Sequence, residues 1–296
     1  MREIGTASRA SGSAAVLRTM CGSDLPGVRR LRSVVGWSAE PAAFELLRGV
    51  AEARWAVAEE AGEIVGMVGA VPVGEVGILC HLAVHEAHRG RGIGAALSRW
   101  AVAYLRSLGT RTVRLYATAE ARELYRTLGF RTVRRRLLLR GFGHVRSRER
   151  GTGAAEVMRF GDLPEVVGHD RWWAGFDRSR VLKAALRLHP GAGLVVRESG
   201  RFRGYLLLSR FGERVRVGPF MAADPTSARA LLGWALELAG EGTEVEAVFT
   251  GDERHPARSL YREFGFSGTE DRTMMEHGRP LPGSEESYAT TAYLAT

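Results

Sequence analysis

Short stretches of near-continuous or alternating hydrophobicity are interleaved along the chain with stretches in which apolar residues recur every three or four positions. Residues 15–19 read as a strand, and Ser23-Asp24 then caps a helix running to Val35, with the carboxylate near the helix N-terminus. Residues 55–59 and Glu63–Val73 form a strand pair turned by Ala61-Gly62. Val76–Val84 is almost entirely apolar, the pattern of a strand covered on both faces. Residues 92–108 have helical periodicity and stop at Gly109 as a C-cap. Thr112–Ala117 is a strand, residues 119–128 a short helix and residues 130–139 a last strand. The second half runs in parallel. A helical region starts at 162–167 and continues over Ser179–Leu188, and Gly193–Glu198 and 203–210 resemble the earlier strand pair. Residues 214–221 stand where the buried strand stood, followed by a helix at 227–239, a strand at Glu244–Thr250 and a short helix at 256–264. The tail, carrying Tyr288 and Tyr293, adds a last strand to the second sheet.

An internal repeat supports this parallel. Residues 121–130 read A-R-E-L-Y-R-T-L-G-F and residues 257–266 read A-R-S-L-Y-R-E-F-G-F, seven matches in ten at an offset of 136 (257 less 121). An offset that long is a whole domain, so one fold occurs twice in tandem. The expected division is a disordered lead-in at 1–13, an N-terminal domain at 14–140, a Gly-, Arg- and Ser-rich linker at 141–155 and a C-terminal domain at 156–296. The strand and helix order gives an α/β (α+β) fold, a mixed sheet flanked by helices in each half.

Composition narrows the function. At 45% hydrophobic and 25% charged, the chain has apolar material for two cores. No window offers the ~18 uninterrupted apolar residues of a membrane span, and the N-terminus lacks an apolar secretion segment. A cytoplasmic, non-membrane protein is expected. The two cysteines, Cys21 and Cys80, make neither a disulfide framework nor a metal-ligand spacing, and no metal is expected. The net charge of +9 invites a nucleic-acid reading. However, 41 of the 42 basic residues are arginine, the exception being Lys183, and they are spread along the chain, although dense over 131–140. The charge reads as compositional bias that helps to attract an anionic cofactor, with no nucleic acid as partner.

The chemistry is concentrated after the apolar strand. Leu82-Ala83-Val84 ends that strand, and Arg89-Gly90-Arg91-Gly92-Ile93-Gly94-Ala95 leads at once into a helix. A glycine-rich turn into a helix start presents unpaired N–H groups and the positive dipole end, and glycine lets a ligand approach the backbone closely. That is a pyrophosphate cradle, with Arg89 and Arg91 as additional cationic donors. The same residues also fit G-x-G-x-x-A of dinucleotide-binding folds. That motif follows its strand directly and opens the first βαβ unit, whereas here five residues intervene and three strands precede.

The string resembles the R/Q-x-x-G-x-G/A signature of the GNAT acyltransferases, with Arg89, Gly92 and Gly94 in the defining places. The later L-Y-R-T-L-G-F resembles the family's second signature. The resemblance implies two tandem GNAT-like domains with mostly antiparallel sheets, and acetyl-CoA or another acyl-CoA as co-substrate. It also implies pantetheine pairing by Leu82, Ala83 and Val84, and Tyr125 as the acid that protonates the departing thiolate. Thr118 stands where many members have Asn. The second half has Gly218-Pro219-Phe220-Met221-Ala222-Ala223-Asp224-Pro225 in place of the cradle, so it resembles a degenerate domain with Tyr261 as a remnant.

The implied reaction is attack of a primary amine of a small molecule on the thioester. A backbone N–H near Ala83 or Val84 would polarise the carbonyl. The base is left open between His81, which alternation puts on the face opposite Cys80, and a water relay from a carboxylate such as Glu75; His85 and His88 read as solvated. An acceptor pocket is expected between the halves, with Trp37, Trp173 and Arg178, beside Trp172 and Asp177, as candidate lining. Altered acyl-CoA chemistry (thioesterase or decarboxylase), a non-catalytic acyl-CoA sensor and self-association into a homodimer are left open.

Overall fold

The computed structural model describes residues 8–9, 14–37, 42–143, 155–211, 213–250, 255–281 and 287–289. They fall into two compact units. Unit 1 holds the described residues up to Thr132 together with Met275–Pro280, and unit 2 holds Val133–Met274 with the described residues from Leu281 onward.

Unit 1 runs β1 (Ser8–Arg9), β2 (Val16–Thr19), α1 (Leu25–Val34), α2 (Ala42–Arg48), β3 (Arg54–Glu60), β4 (Glu63–Val73), β5 (Val76–Val84), α3 (Ile93–Ser107), β6 (Thr112–Ala117) and α4 (Arg122–Thr127). Strands β1 to β5 pair antiparallel in sequence order, and β6 joins β5 in parallel because α3 carries the chain back over the sheet. Ile93, Leu97, Ala101 and Leu105 recur every four residues along α3. They pack on Ala56, Ala58, Val68, Ala70, Leu79 and Val113. The other face of the sheet carries Trp55 against Phe44 of α2, ring centroids 4.6 Å apart. The expected cap on α1 takes a different form: Asp24 ends a 3-10 turn, accepts from the Cys21 N–H at 2.8 Å and pairs with Arg18 at 2.7 Å.

Unit 2 runs β7 (Arg131–Phe142), whose first two residues belong to unit 1, then β8 (Ala155–Val157), α5 (Leu163–Ala174), α6 (Ser179–Leu188), β9 (Gly193–Glu198), β10 (Arg201–Phe211), β11 (Arg214–Ala222) and α7 (Pro225–Ala239). It continues with β12 (Glu244–Thr250), α8 (Pro256–Glu263), β13 (Ser267–Gly278) and β14 (Ser287–Ala289). Strands β8 to β11 pair antiparallel, β12 joins β11 in parallel, and β7 lies antiparallel to β12. β14 pairs with β11, so the expected tail strand is present; Tyr293 lies outside the described residues.

The chain divides differently from the expected 140/156 boundary. Residues 133–140 pack in unit 2, where β7 covers β12, and Met275–Pro280 of β13 and beyond close unit 1 beside β6. There Arg114 pairs with the buried Glu276 at 2.6 Å, and His277 lies 5.4 Å from Phe130, ring to ring. Each unit thus takes one strand from the other half of the sequence. Of the expected linker, 141–143 are ordered with β7 and Ala155 begins β8, while residues 144–154 lie outside the described set. Of the expected disordered lead-in, Ser8–Arg9 pair with β2 and the rest lies outside the described set. No helix among the described residues is long and apolar enough to cross a membrane.

Candidate active site

The regular pairing of β5 breaks at one place. Against β4 its register runs Leu79–Ala70 and Cys80–Gly69, then resumes at Ala83–Met67. His81 and Leu82 together face the single Val68, a β-bulge, and His81 takes a left-handed backbone at φ 52°. The extra residue cancels the alternation that would separate Cys80 from His81. His81 lies among Trp37, Phe44 and Trp55, and Cys80 Sγ and the Trp55 ring both crowd the Cβ-less face of Gly69. Leu82 and Val84 turn to the α3 core.

On its other edge β5 shares three parallel pairs with β6, Val76–Thr112, Gly77–Val113 and Ile78–Arg114. Past Ile78 the strands part. Among the described residues no strand pairs with that edge of β5, although β5 runs on to Val84. A strand edge presents peptide N–H and C=O groups that require partners, here at Leu82, Ala83 and Val84. The Val84 carbonyl accepts from Arg89 Nε at 3.2 Å.

The loop that follows is built for close approach. Gly90 and Gly92 are left-handed at φ 74° and 76°, where any side chain would be strained. α3 starts with Gly92 as its N-cap and no side chain capping it, so the first-turn N–H groups around Ile93, Gly94 and Ala95 and the positive dipole end meet the loop. Arg91 serves this loop differently from expectation. Its guanidinium forks onto Glu60 at 2.7 and 3.0 Å, and His88 Nδ1 lies 2.8 Å from the same carboxylate. The bond from Arg91 holds the Glu60 carboxyl below its ordinary range against desolvation, and the His88 contact adds a smaller pull in the same direction. Arg91 therefore ties the loop to the end of β3, and Arg89 is the exposed cation. His85 is spent locally, accepting from the Ala87 N–H at 3.2 Å.

Arg32 of α1 was not singled out from sequence. It is 3% exposed, its Nη1 lies 3.0 Å from His81 Nδ1, and its guanidinium carbon is 5.2 Å from both the Trp37 and Phe44 ring centres. Burial pulls its pKa down to about 10. A guanidinium only donates, so Nδ1 accepts and the neutral ring carries its proton on Nε2. In this arrangement His81 has no lone pair left for an ammonium proton, which weighs against it as base. Burial pushes the Cys80 thiol up, leaving it a neutral wall.

Glu75 is excluded as a relay: it precedes β5 at the end away from the loop, roughly 25 Å from Ala83 at the ordinary strand rise. Tyr125 is buried on α4 with its ring edge-on to Phe130 at 5.7 Å. The neighbouring Leu124 lies 3.5 Å from the Cβ position of Gly94, so the start of α3 and α4 meet. The Thr118 carbonyl accepts from the Ala121 N–H at 3.2 Å, a turn into that helix.

Of the three acceptor candidates, only Trp37 is brought to His81, at 6.0 Å. Arg178 and Trp173 are buried within unit 2. Arg178 forks onto Asp170 at 2.7 and 2.8 Å, Tyr205 donates to the same carboxylate, and Trp173 packs on His169 and Phe202. Trp172 is exposed, and Asp177 accepts from the Ser179 N–H at 2.9 Å. Phe44, Trp55 and Glu60 also escaped the sequence reading. The i,i+3 pair Phe44 and Leu47 before Gly49 was the signal for α2.

Unit 2 repeats the framework without the cradle. Asp224 caps α7, accepting from the Ser227 N–H and hydroxyl, each at 2.8 Å, and pairs with Arg203 at 2.7 Å. Pro225 opens the helix without an amide hydrogen. Tyr261 is buried and its hydroxyl has no hydrogen-bond partner among the described residues, so it is a core residue. Among the described residues no group of three His, Cys, Asp or Glu side chains is placed to hold a metal.

A mixed, mostly antiparallel sheet with a parting parallel pair and a glycine-rich, uncapped helix start defines the acyltransferase fold that the motifs resembled. Residues 30–130 match the acetyltransferase (GNAT) family and residues 166–289 match an acetyltransferase (GNAT) domain. The chain belongs to the GNAT acetyltransferase family, as two tandem domains. No curated protein sequence matches it significantly. Among solved structures, a putative acetyltransferase from Pyrococcus horikoshii is similar at TM-score 0.80 and 20% identity, over 99% of this chain and 100% of that one. A GCN5-related N-acetyltransferase from Sphaerobacter thermophilus is similar at TM-score 0.66 and 21% identity, over 92% and 98%. A tandem GNAT protein from the clavulanic acid biosynthesis pathway is similar at TM-score 0.63 and 14% identity, over 90% and 99%. At these identities the likeness is one of fold.

Proposed function

We propose that unit 1 transfers the acyl group of acyl-CoA, with acetyl-CoA as the donor, to a primary amine of a small molecule. One observation carries this reading: the unpaired edge of β5 at Leu82–Val84 runs straight into the uncapped, glycine-built start of α3. The N–H groups of residues 92–95 and the Arg89 guanidinium receive the pyrophosphate, and the β5 edge pairs with the pantetheine arm. An N–H of Ala83 or Val84 polarises the thioester carbonyl as it becomes an oxyanion. Tyr125, ordinarily a weak acid of pKa about 10, protonates the leaving thiolate.

The acceptor lies in unit 1, at the box of Trp37, Phe44, Trp55, Arg32 and His81, because Trp173 and Arg178 are enclosed elsewhere. Aromatic walls suit a moderately apolar or ring-bearing amine. The Nε2 proton of His81 orients the acceptor, and the amine's own proton leaves to water. A reducing cytoplasmic setting agrees with two unpaired cysteines, Cys21 exposed and Cys80 buried.

The test is calorimetric titration of acetyl-CoA and desulfo-CoA into the wild type and a Gly92→Asp, Gly94→Asp double variant. One site per chain, lost in the folded variant, followed by amine-dependent CoA release, supports the assignment. A folded wild type that binds neither ligand rejects it, and CoA release without any amine favours hydrolysis.

A further inference from the structure

β11 and β5 part from their neighbours in the same way. In unit 2 the parallel pairs are Val215–Val245, Arg216–Glu246 and Val217–Ala247, after which β11 and β12 separate. In unit 1 no strand among the described residues covers the corresponding edge of β5. In unit 2 one does: β14 pairs antiparallel with β11 at Phe220–Ala289 and Met221–Ser287, and its backbone also runs close to β12 and α8. Phe220 and Met221 stand three and four residues past the last parallel pair, as His81 and Leu82 do in β5. The chain's own C-terminal segment thus lies where the pantetheine arm is assigned in unit 1.

The rest of this cleft agrees with a peptide occupant. The helix start that would hold a pyrophosphate is closed by the Asp224 carboxylate and by Pro225, while the hydrogen-bonding edge of β11 is kept. An edge of peptide groups between two parting strands recognises extended backbone, and pairing by main-chain hydrogen bonds is how strand addition works. We propose that the cleft between β11 and β12 is a strand-addition site for an extended peptide, with residues 287–289 as its resident occupant. The occupant is three residues long, so it exchanges with a competing peptide of the same sequence.

The test uses the full-length chain. Hydrogen exchange of the wild type should show the amides of residues 287–289 protected at least about tenfold relative to an unstructured peptide. A full-length Ser287→Pro, Ala289→Pro variant, in which the tail is unable to pair, should lose that protection at Tyr288, the one amide of the three that remains, and bind a labelled synthetic peptide of residues 282–296. Binding should be about tenfold or more tighter than to the wild type, and a scrambled peptide should not bind. Free exchange at 287–289 in the wild type overturns the proposal, whatever the variant does. A second desulfo-CoA site per chain in the variant also overturns it, showing a cofactor cleft held shut by the tail. The Gly92→Asp, Gly94→Asp variant should keep the tail protected, so failure of the unit 1 reading leaves this result standing.

Discussion

Arg32 Nη1 sits 3.0 Å from His81 Nδ1, and this contact orients the one histidine on the strand that leads to the loop. It makes His81 a donor from Nε2. His81→Gln, which keeps a donor, should hold kcat within about tenfold, whereas losing a general base costs about 10²–10⁴-fold. Arg32→Met should raise KM for the amine and leave the acetyl-CoA Kd unchanged. Steady-state kinetics with both substrates varied distinguishes these; a hundredfold fall in kcat for His81→Gln would restore the base assignment.

Tyr125 is expected to act on the leaving group. Tyr125→Phe should lower kcat about a hundredfold without weakening desulfo-CoA binding. The deficit should shrink with an acyl donor whose thiol is more acidic, because such a thiolate leaves with less help. An equal deficit for all donors would mark Tyr125 as a packing residue against Phe130.

Glu60 holds the glycine-rich loop through Arg91 and His88. Glu60→Gln should raise the acetyl-CoA Kd several-fold and leave kcat at saturation near the wild-type value, which titration and saturation kinetics together would show. A variant with unchanged Kd would mean that the loop keeps its shape unaided.

The exchanged strands make the halves interdependent. A fragment ending at residue 155 lacks Met275–Pro280 and the Glu276 partner of Arg114, and it exposes an edge of β6. Expressed alone it should aggregate or bind desulfo-CoA poorly, and co-expression with residues 156–296 should restore binding. A soluble, fully binding fragment would show the exchange to be dispensable.

His277 reports on this closure by its pH dependence. Burial first, then the cations of Arg106 and Arg131, hold its pKa below the ordinary 6.5. The unfolded chain then binds the proton more readily than the folded one, so its contribution is complete above 6.5 and is lost as pH falls below it. The Tm should drop between pH 7.5 and pH 5, and His277→Gln should flatten that slope. An unchanged slope would place the acid sensitivity in other groups.

Much was legible because it is local. The strand bounds of β4, β5, β6, β9 and β12 follow from hydrophobic period and turn residues, and the helices α3, α6 and α7 from theirs, at spans of a few residues. The glycine loop, the duplicated L-Y-R segment and the loss of the cradle in the second half are likewise written in contiguous residues. Tertiary structure decided the rest, because it depends on pairing between distant residues. The bulge at His81 exists only against Val68, and it turns a histidine that alternation sends away from Cys80 onto the same face. Arg32 meets His81 across 49 positions, and Arg114 meets Glu276 across 162, so no local pattern signals either pair. Which strand closes which sheet, and that the tail fills one cleft, are choices among edges with similar local propensity. Burial and register settle such choices only once the whole chain is folded.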